Sequence, residues 1–173
     1  MMQRIMIVGQ PGSGKSTLAR ALGARTGLPV VHIDHIHWQP GWIERSAAEK
    51  TKACLSVEAG EAWIFEGGHS VTWANRLARA DMLLWLDVPV WLRLWRVVRR
   101  TFLSRGQDRP DLPPGCREGF HSETLPFWHF IWRTRRTARD RLQRLWDSVP
   151  ANKAKMQLRS LADVHRFLDG FPS

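Results

Sequence analysis

Nine consecutive residues, Gly9, Gln10, Pro11, Gly12, Ser13, Gly14, Lys15, Ser16 and Thr17, match the pattern G-x-x-x-x-G-K-[ST]. Glycines at those spacings let the backbone curl so that several N–H groups converge on one anion. A helix beginning at the end of such a loop adds its unpaired N–H groups and the positive end of its dipole. Lys15 contributes a point charge for the β- and γ-phosphates, and Ser16 a hydroxyl ligand for Mg²⁺. The chemistry implied is the binding of a nucleoside triphosphate such as ATP together with Mg²⁺.

That chemistry requires acids to hold the metal or activate an acceptor, and three stand where strands are expected to end: Asp34, Glu66 and Asp87. Asp34 is the candidate for binding or deprotonating an acceptor hydroxyl. Glu66 and Asp87 are candidates for holding Mg²⁺ through water. Each acid alone would also serve as a turn or helix-cap residue. His32, Asp34, His35 and His37 invite a transition-metal reading, but no zinc ligand spacing is met. Gly67-Gly68-His69 is either a plain turn or a place where a ligand approaches the backbone.

The elements needed to position these groups are legible. Residues 4–8, 30–33, 63–65, 82–86 and, more weakly, 155–158 read as strands, and 82–86 is continuously apolar, as a strand covered on both faces should be. Helices are expected from 18, over 47–59, 72–79, 90–102 and 127–146, and from a capping box at Ser160 and Asp163 to Leu168. Alternation of strands and helices gives an α/β fold: a doubly wound, parallel, five-stranded sheet with helices on both faces. Ligands bind such sheets beyond the carboxyl ends of the strands, where the three acids stand. On the 90–102 helix, Trp91, Trp95, Val98 and Phe102 form an apolar stripe expected to face the core. Arg93, Arg96 and Arg100 form an opposite stripe expected to be free to meet an anion. Residues 104–126 are rich in Pro and Gly, and a loop of that length inside a compact domain reads as a lid. The whole chain, 1–173, reads as one such domain.

Composition narrows the classes further. No apolar run approaches a membrane span, and Cys54 and Cys116 sit in no disulfide-framework or metal spacing, so a cytoplasmic enzyme with reduced thiols and no membrane partner is expected. The net charge is +10, and residues 93–144 carry thirteen arginines against five acids. Arginine is suited to bidentate phosphate contacts, so this block can serve a polyphosphate, or nucleic acid weakly and without sequence preference. No helix-turn-helix or zinc-finger signature specifies bases. Oligomeric state is not encoded in any feature of the pattern.

The order of Gly9–Thr17, Asp34-x-x-x-Trp38-x-Pro40-Gly41-Trp42, Trp63-Ile64-Phe65-Glu66-Gly67 and Leu86-Asp87-Val88-Pro89 resembles adenylate-kinase-like P-loop NTPases. More closely, the chain resembles the bacterial family of DNA topology modulation, or FlaR-related, proteins. Arg109-Pro110-Asp111…Gly115-Cys116 and Leu158-Arg159-Ser160…Phe167-Leu168 belong to that resemblance. It implies a nucleoside-monophosphate-kinase-like fold with a mobile lid, in which Arg96 and Arg100 contact phosphates. Arg136, on the later arginine-rich helix, is a further candidate for closing over the nucleotide. Two departures matter. Glu66 stands where the related kinases have Asp, and Gly68-His69-Ser70 replaces the Phe-Pro-Arg whose arginine grips AMP. Asp34 sits more as the acceptor-binding Asp of shikimate-kinase-like enzymes. The reading is an ATP-dependent phosphotransferase acting on a small molecule or nucleotide, with an ATP-dependent regulatory protein that binds nucleic acid as the alternative.

Overall fold

Strict alternation along each strand decides which side chain meets which helix layer. In strand β1 (Arg4–Gly9), Ile5 and Ile7 join one buried cluster and Met6 and Val8 the other. In β6 (Met82–Leu86), Leu84 and Leu86 divide from Leu83 and Trp85 in the same way. The computed structural model describes residues 2–103, 110–116 and 124–171.

The sheet is parallel throughout, with order β2-β5-β1-β6-β7, where β2 is Val30–His32, β5 Trp63–Glu66 and β7 Ala154–Leu158. Helices α1 (Lys15–Thr26) and α8 (Leu161–Gly170) cover the face that holds Ile5 and Ile7. Helices α3 (Ala47–Glu58), α4 (Trp73–Arg79) and α7 (Arg135–Asp147) cover the opposite face. The chain leaves β1 towards β2 on one side and later returns to β6 on the other, so the strand order reverses at β1. The phosphate loop lies at that switch point. No helix among the described residues is long and apolar enough to cross a membrane.

Four expectations are corrected. The residues after β2 are not an extended strand end: Ile33–His37 form a short helix, α2, and Trp38–Gln39 (β3) pairs antiparallel with Ile43–Glu44 (β4) around Pro40-Gly41-Trp42. Helix α5 (Val90–Leu103) has its faces reversed: Arg93 is 2% exposed, whereas Trp91 is 67%, Trp95 57% and Phe102 60% exposed. The buried guanidinium is held by backbone carbonyls, a partner that hydrophobic periodicity does not register. The single helix expected over 127–146 is two, α6 (Thr124–Arg133) and α7. At the joint, the Thr134 hydroxyl donates to the Phe130 carbonyl at 2.7 Å, a back-bond that bends helices.

The lid expectation over 104–126 falls mostly outside the described residues. Its last three residues open α6, where Pro126 is tolerated because the first helical turn needs no N–H donor there. Residues 110–116 are held down. Asp111, Leu112 and Cys116 are buried, Cys116 Sγ donates to the Gln39 carbonyl at 3.3 Å, and His35 Nε2 lies 2.9 Å from the Pro110 carbonyl oxygen.

Candidate functional site

Register and pleat bring Glu66 to the phosphate loop. Ile64 faces the α1 side of the sheet, so Glu66, two residues on, faces it too. There the first turn of α1 supplies Ser16, whose Oγ donates to Glu66 Oε1 at 2.9 Å. His32 is the register partner of Glu66 on the neighbouring strand, and its Nδ1 lies 2.8 Å from the same oxygen. Burial works to raise the pKa of Glu66. The hydrogen bond from His32, the charges of Lys15 and His32 and the Ser16 hydroxyl outweigh it and hold the carboxyl below its usual range.

The loop itself is braced from α5. Arg93 donates through Nε to the Val88 carbonyl at 3.1 Å and through a terminal nitrogen to that of Pro11 at 3.4 Å. Arg96 donates to the Ser13 carbonyl at 3.0 Å. Gly12 lies so close to α5 that a Cβ there would stand 2.6 Å from the Arg93 carbonyl oxygen, and its φ of 78° also favours glycine. Lys15 Nζ reaches the Gln10 carbonyl at 3.4 Å, curling over the loop it serves.

One cavity of about 1230 Å³ collects most of the candidates: Gly9, Pro11, Gly12, Gly14, Lys15, Ser16 and Thr17 of the loop, together with Asp34, Glu66, Arg96 and Arg100. Ordinary single-ligand pockets run to roughly 300–1,000 Å³, so this volume suits two reactants. Beyond the loop, the cavity is walled by Trp38, Trp42, Glu44, Gly67 and Gly68, and by Pro110, Asp111 and Leu112. Gly67 is required where α2 crosses the end of β5, since a Cβ would lie 2.0 Å from Ile33 Cγ2. Residues of α6, among them Phe127 and Phe130 with stacked rings, close another side.

Two metal candidates thus come together and one does not. The Ser16 hydroxyl and Glu66 carboxylate form the kind of oxygen pair that Mg²⁺ accepts directly and through water. Asp87 is a correction. It lies in a separate groove of about 450 Å³ on the other side of the loop. Arg139 grips it at 2.7–3.2 Å and Gln157 donates to it at 2.9 Å. Asp87 thus anchors α7 and β7 at the end of β6. Arg136 lines the same groove and not the main cavity. Gln10 joins them there, its side chain donating to the Arg135 carbonyl at 2.9 Å, and the Ser13 side chain is buried.

Three contributors escape motif reading. His32 steadies Glu66, and the only sign of it in the sequence is its place at the end of a strand expected to flank the glutamate's. Arg20 of α1 lines the cavity and pairs with the buried Asp111 at 3.3 Å, a contact with no local signature. Arg93 supports the loop from a helical position that pattern alone assigns to ligand binding.

A family model described as "ATPase family associated with various cellular activities (AAA)" matches residues 5–61, from β1 to just before β5. No curated protein matches the chain. Among solved structures, the chain is similar to shikimate kinase from Bacteroides thetaiotaomicron: TM-score 0.59, 17% identity, 98% of each chain covered. It is also similar to shikimate kinase from Acinetobacter baumannii in complex with shikimate, with TM-score 0.56, 18% identity and 98% and 92% covered. A third neighbour is deoxyadenosine kinase from M. mycoides with bound dATP, with TM-score 0.56, 13% identity and 96% and 95% covered. The chain has the fold of a P-loop NTPase, and these structural neighbours are kinases.

Proposed function

We propose that the protein is an ATP-dependent phosphotransferase that moves the γ-phosphoryl group of ATP to a hydroxyl of a small acceptor. The observation that carries this reading is a single cavity lined at one end by Lys15, Ser16, Arg96 and Arg100 and at the other by Asp34 with Trp38 and Trp42. A protein that only held or hydrolysed a nucleotide would have no use for the second half. The neighbours named as shikimate kinase and deoxyadenosine kinase lend the same direction to the reading. The motif order keeps the topology-modulation family as the proposed affiliation.

In this reading the loop amides, the start of α1 and Lys15 cradle the β- and γ-phosphates. Ser16, with Glu66 through water, would hold Mg²⁺, which neutralises charge on the phosphate oxygens when bound. Arg96 and Arg100 stabilise the charge that develops on the equatorial oxygens of the transferring group. The acceptor oxygen bonds to the γ-phosphorus as the bond to the β–γ bridging oxygen breaks. The hydroxyl proton passes to Asp34 and ADP departs. The walls from α6 and 110–116 exclude the water that would otherwise hydrolyse ATP.

The test is an ATP-consumption screen against nucleosides, nucleotides, sugars and small hydroxy acids, with Lys15→Ala as the blank. Acceptor-dependent turnover that vanishes in the blank supports the reading. Equal turnover by Lys15→Ala and the parent protein sinks it. The nucleic-acid alternative has no specific observation in its favour, since the arginine face of α5 meets the phosphate loop. DNA binding that persists near ~0.1 M salt would restore it.

A further inference from the structure

Resting on the kinase reading, we infer the class of the acceptor: an uncharged or amine-bearing polyhydroxyl ring compound, carrying neither phosphate nor carboxylate, bound with a ring face against Trp42 and Trp38. The first ground is where the cations are. Around the acceptor half, the described cations are already engaged by the protein. Arg20 is paired with Asp111 at 3.3 Å. Arg45 donates to the carbonyls of His35, Ile36 and Trp38 at 2.7–2.9 Å, and Lys50 to Glu44 at 2.6 Å. Arg76 is wholly buried against Glu58. A phosphate or carboxylate needs charge-assisted donors waiting for it. To recruit Arg20, for example, would leave the Asp111 carboxylate buried without its cation.

The groups presented instead are acceptors and aromatic faces. Asp34 and Glu44 line this half of the cavity and suit hydroxyl or ammonium donors. Trp38 and Trp42 meet edge to face, ring centroids 5.4 Å apart and planes at 78°. Such indoles offer their faces to the C–H side of a sugar-like ring or to an amine.

Backbone strain marks the same place. Among the described residues, the non-glycine positions with positive φ are Trp42 (63°) and His69 (67°). A bulky residue in the left-handed region is a real outlier, and such outliers gather at ligand clamps. Trp42 follows Gly41 (φ 80°) at the tip of the β3–β4 hairpin, so the hairpin holds its tryptophan at a conformational cost. His69 directly follows the cavity-lining Gly67-Gly68, and its Nε2 lies 2.8 Å from the Thr51 hydroxyl of α3. Residues 110–116 pack on the same hairpin through Cys116 and Gln39.

The experiment is a matched-pair acceptor assay on the full chain. Adenosine, glucose and glucosamine are compared with AMP, glucose 6-phosphate and gluconate, while binding of a fluorescent ATP analogue is measured separately. The expected result is that the best kcat/KM belongs to an uncharged or amine-bearing member, at least about tenfold above its anionic partner. Glu44→Lys should narrow that ratio, and Trp42→Ala should raise the acceptor KM about tenfold or more while Trp42→Phe largely retains it. A phosphate- or carboxylate-bearing compound as best acceptor overturns the inference. So does binding of the ATP analogue with no panel member raising ATP consumption. Absence of ATP-analogue binding would instead bring down the kinase reading, and this one with it.

Discussion

Ser16 and Glu66 share a hydrogen bond of 2.9 Å between the first turn of α1 and the end of β5, and the same carboxylate oxygen meets His32. The pair ties the phosphate loop to the sheet through one buried acid. Its folded-state pKa lies below the ordinary 4.5, because His32, Lys15 and Ser16 outweigh burial. The linkage has a definite sign. The unfolded chain binds the proton more readily, so this contribution to stability is complete above about pH 4.5 and is lost as pH falls through the lower folded value. Glu66→Gln should therefore melt below the parent protein at pH 7, with the gap closing towards pH 3. Thermal melts of both proteins across that range check it, and a gap independent of pH would refute it.

Arg93 and Arg100 stand two turns apart on α5 and should fail in different ways. Arg93→Met leaves the carbonyls of Val88 and Pro11 without their buried donor, at a cost of about 1–3 kcal/mol. Arg100 lines the cavity. In Arg100→Ala the melting temperature should fall less than in Arg93→Met, while kcat/KM falls on the order of 10²-fold. Denaturant titration beside steady-state kinetics separates the two. Equal losses of stability would show that the arginine face acts as one structural unit.

The Arg76–Glu58 pair is fully buried at 3.0 Å and reaches the site indirectly. The Arg76 guanidinium lies 3.6 Å from the centre of the Phe65 ring and donates to the Gly67 carbonyl at 3.2 Å, fixing the wall of the acceptor half. Removing one partner strands a buried charge. Glu58→Leu should cost about 3–5 kcal/mol, and adding Arg76→Met should recover part of it. A double-mutant cycle by chemical denaturation measures the coupling, and strictly additive losses would contradict it.

What was legible in the sequence, and what was not, follows from the kind of force involved. Residues 82–86 declare a covered strand because hydrophobic burial leaves a continuous apolar run, and Gly9–Thr17 declare their loop because backbone geometry demands glycines at set spacings. The meeting of Ser16 and Glu66 becomes visible only once strand register is known. The β3–β4 hairpin leaves no alternating run, since each strand is two residues long. Asp87 at a strand end reads like a metal acid, but Arg139, 52 residues later, claims it. The faces of α5 were assigned by apolar periodicity, which carries no record of backbone carbonyls that need a donor.

The reversed orientation of α5 makes the sharpest stability prediction. Were Trp91 a core residue, truncating it would cost about 3–5 kcal/mol. At 67% exposure it should behave as a surface residue. Trp91→Gln should shift unfolding free energy by no more than about 0.5 kcal/mol, because Gln keeps good helix propensity and no packed neighbour is lost. Trp85→Ala is the internal contrast: that tryptophan is 1% exposed between β6 and Trp146, 5.9 Å away ring to ring, and should lose the full core penalty. Urea titrations of the two variants decide it. A large loss for Trp91→Gln would return the tryptophan stripe to the core and turn the arginines outward, undoing the bracing of the phosphate loop by Arg93 and Arg96.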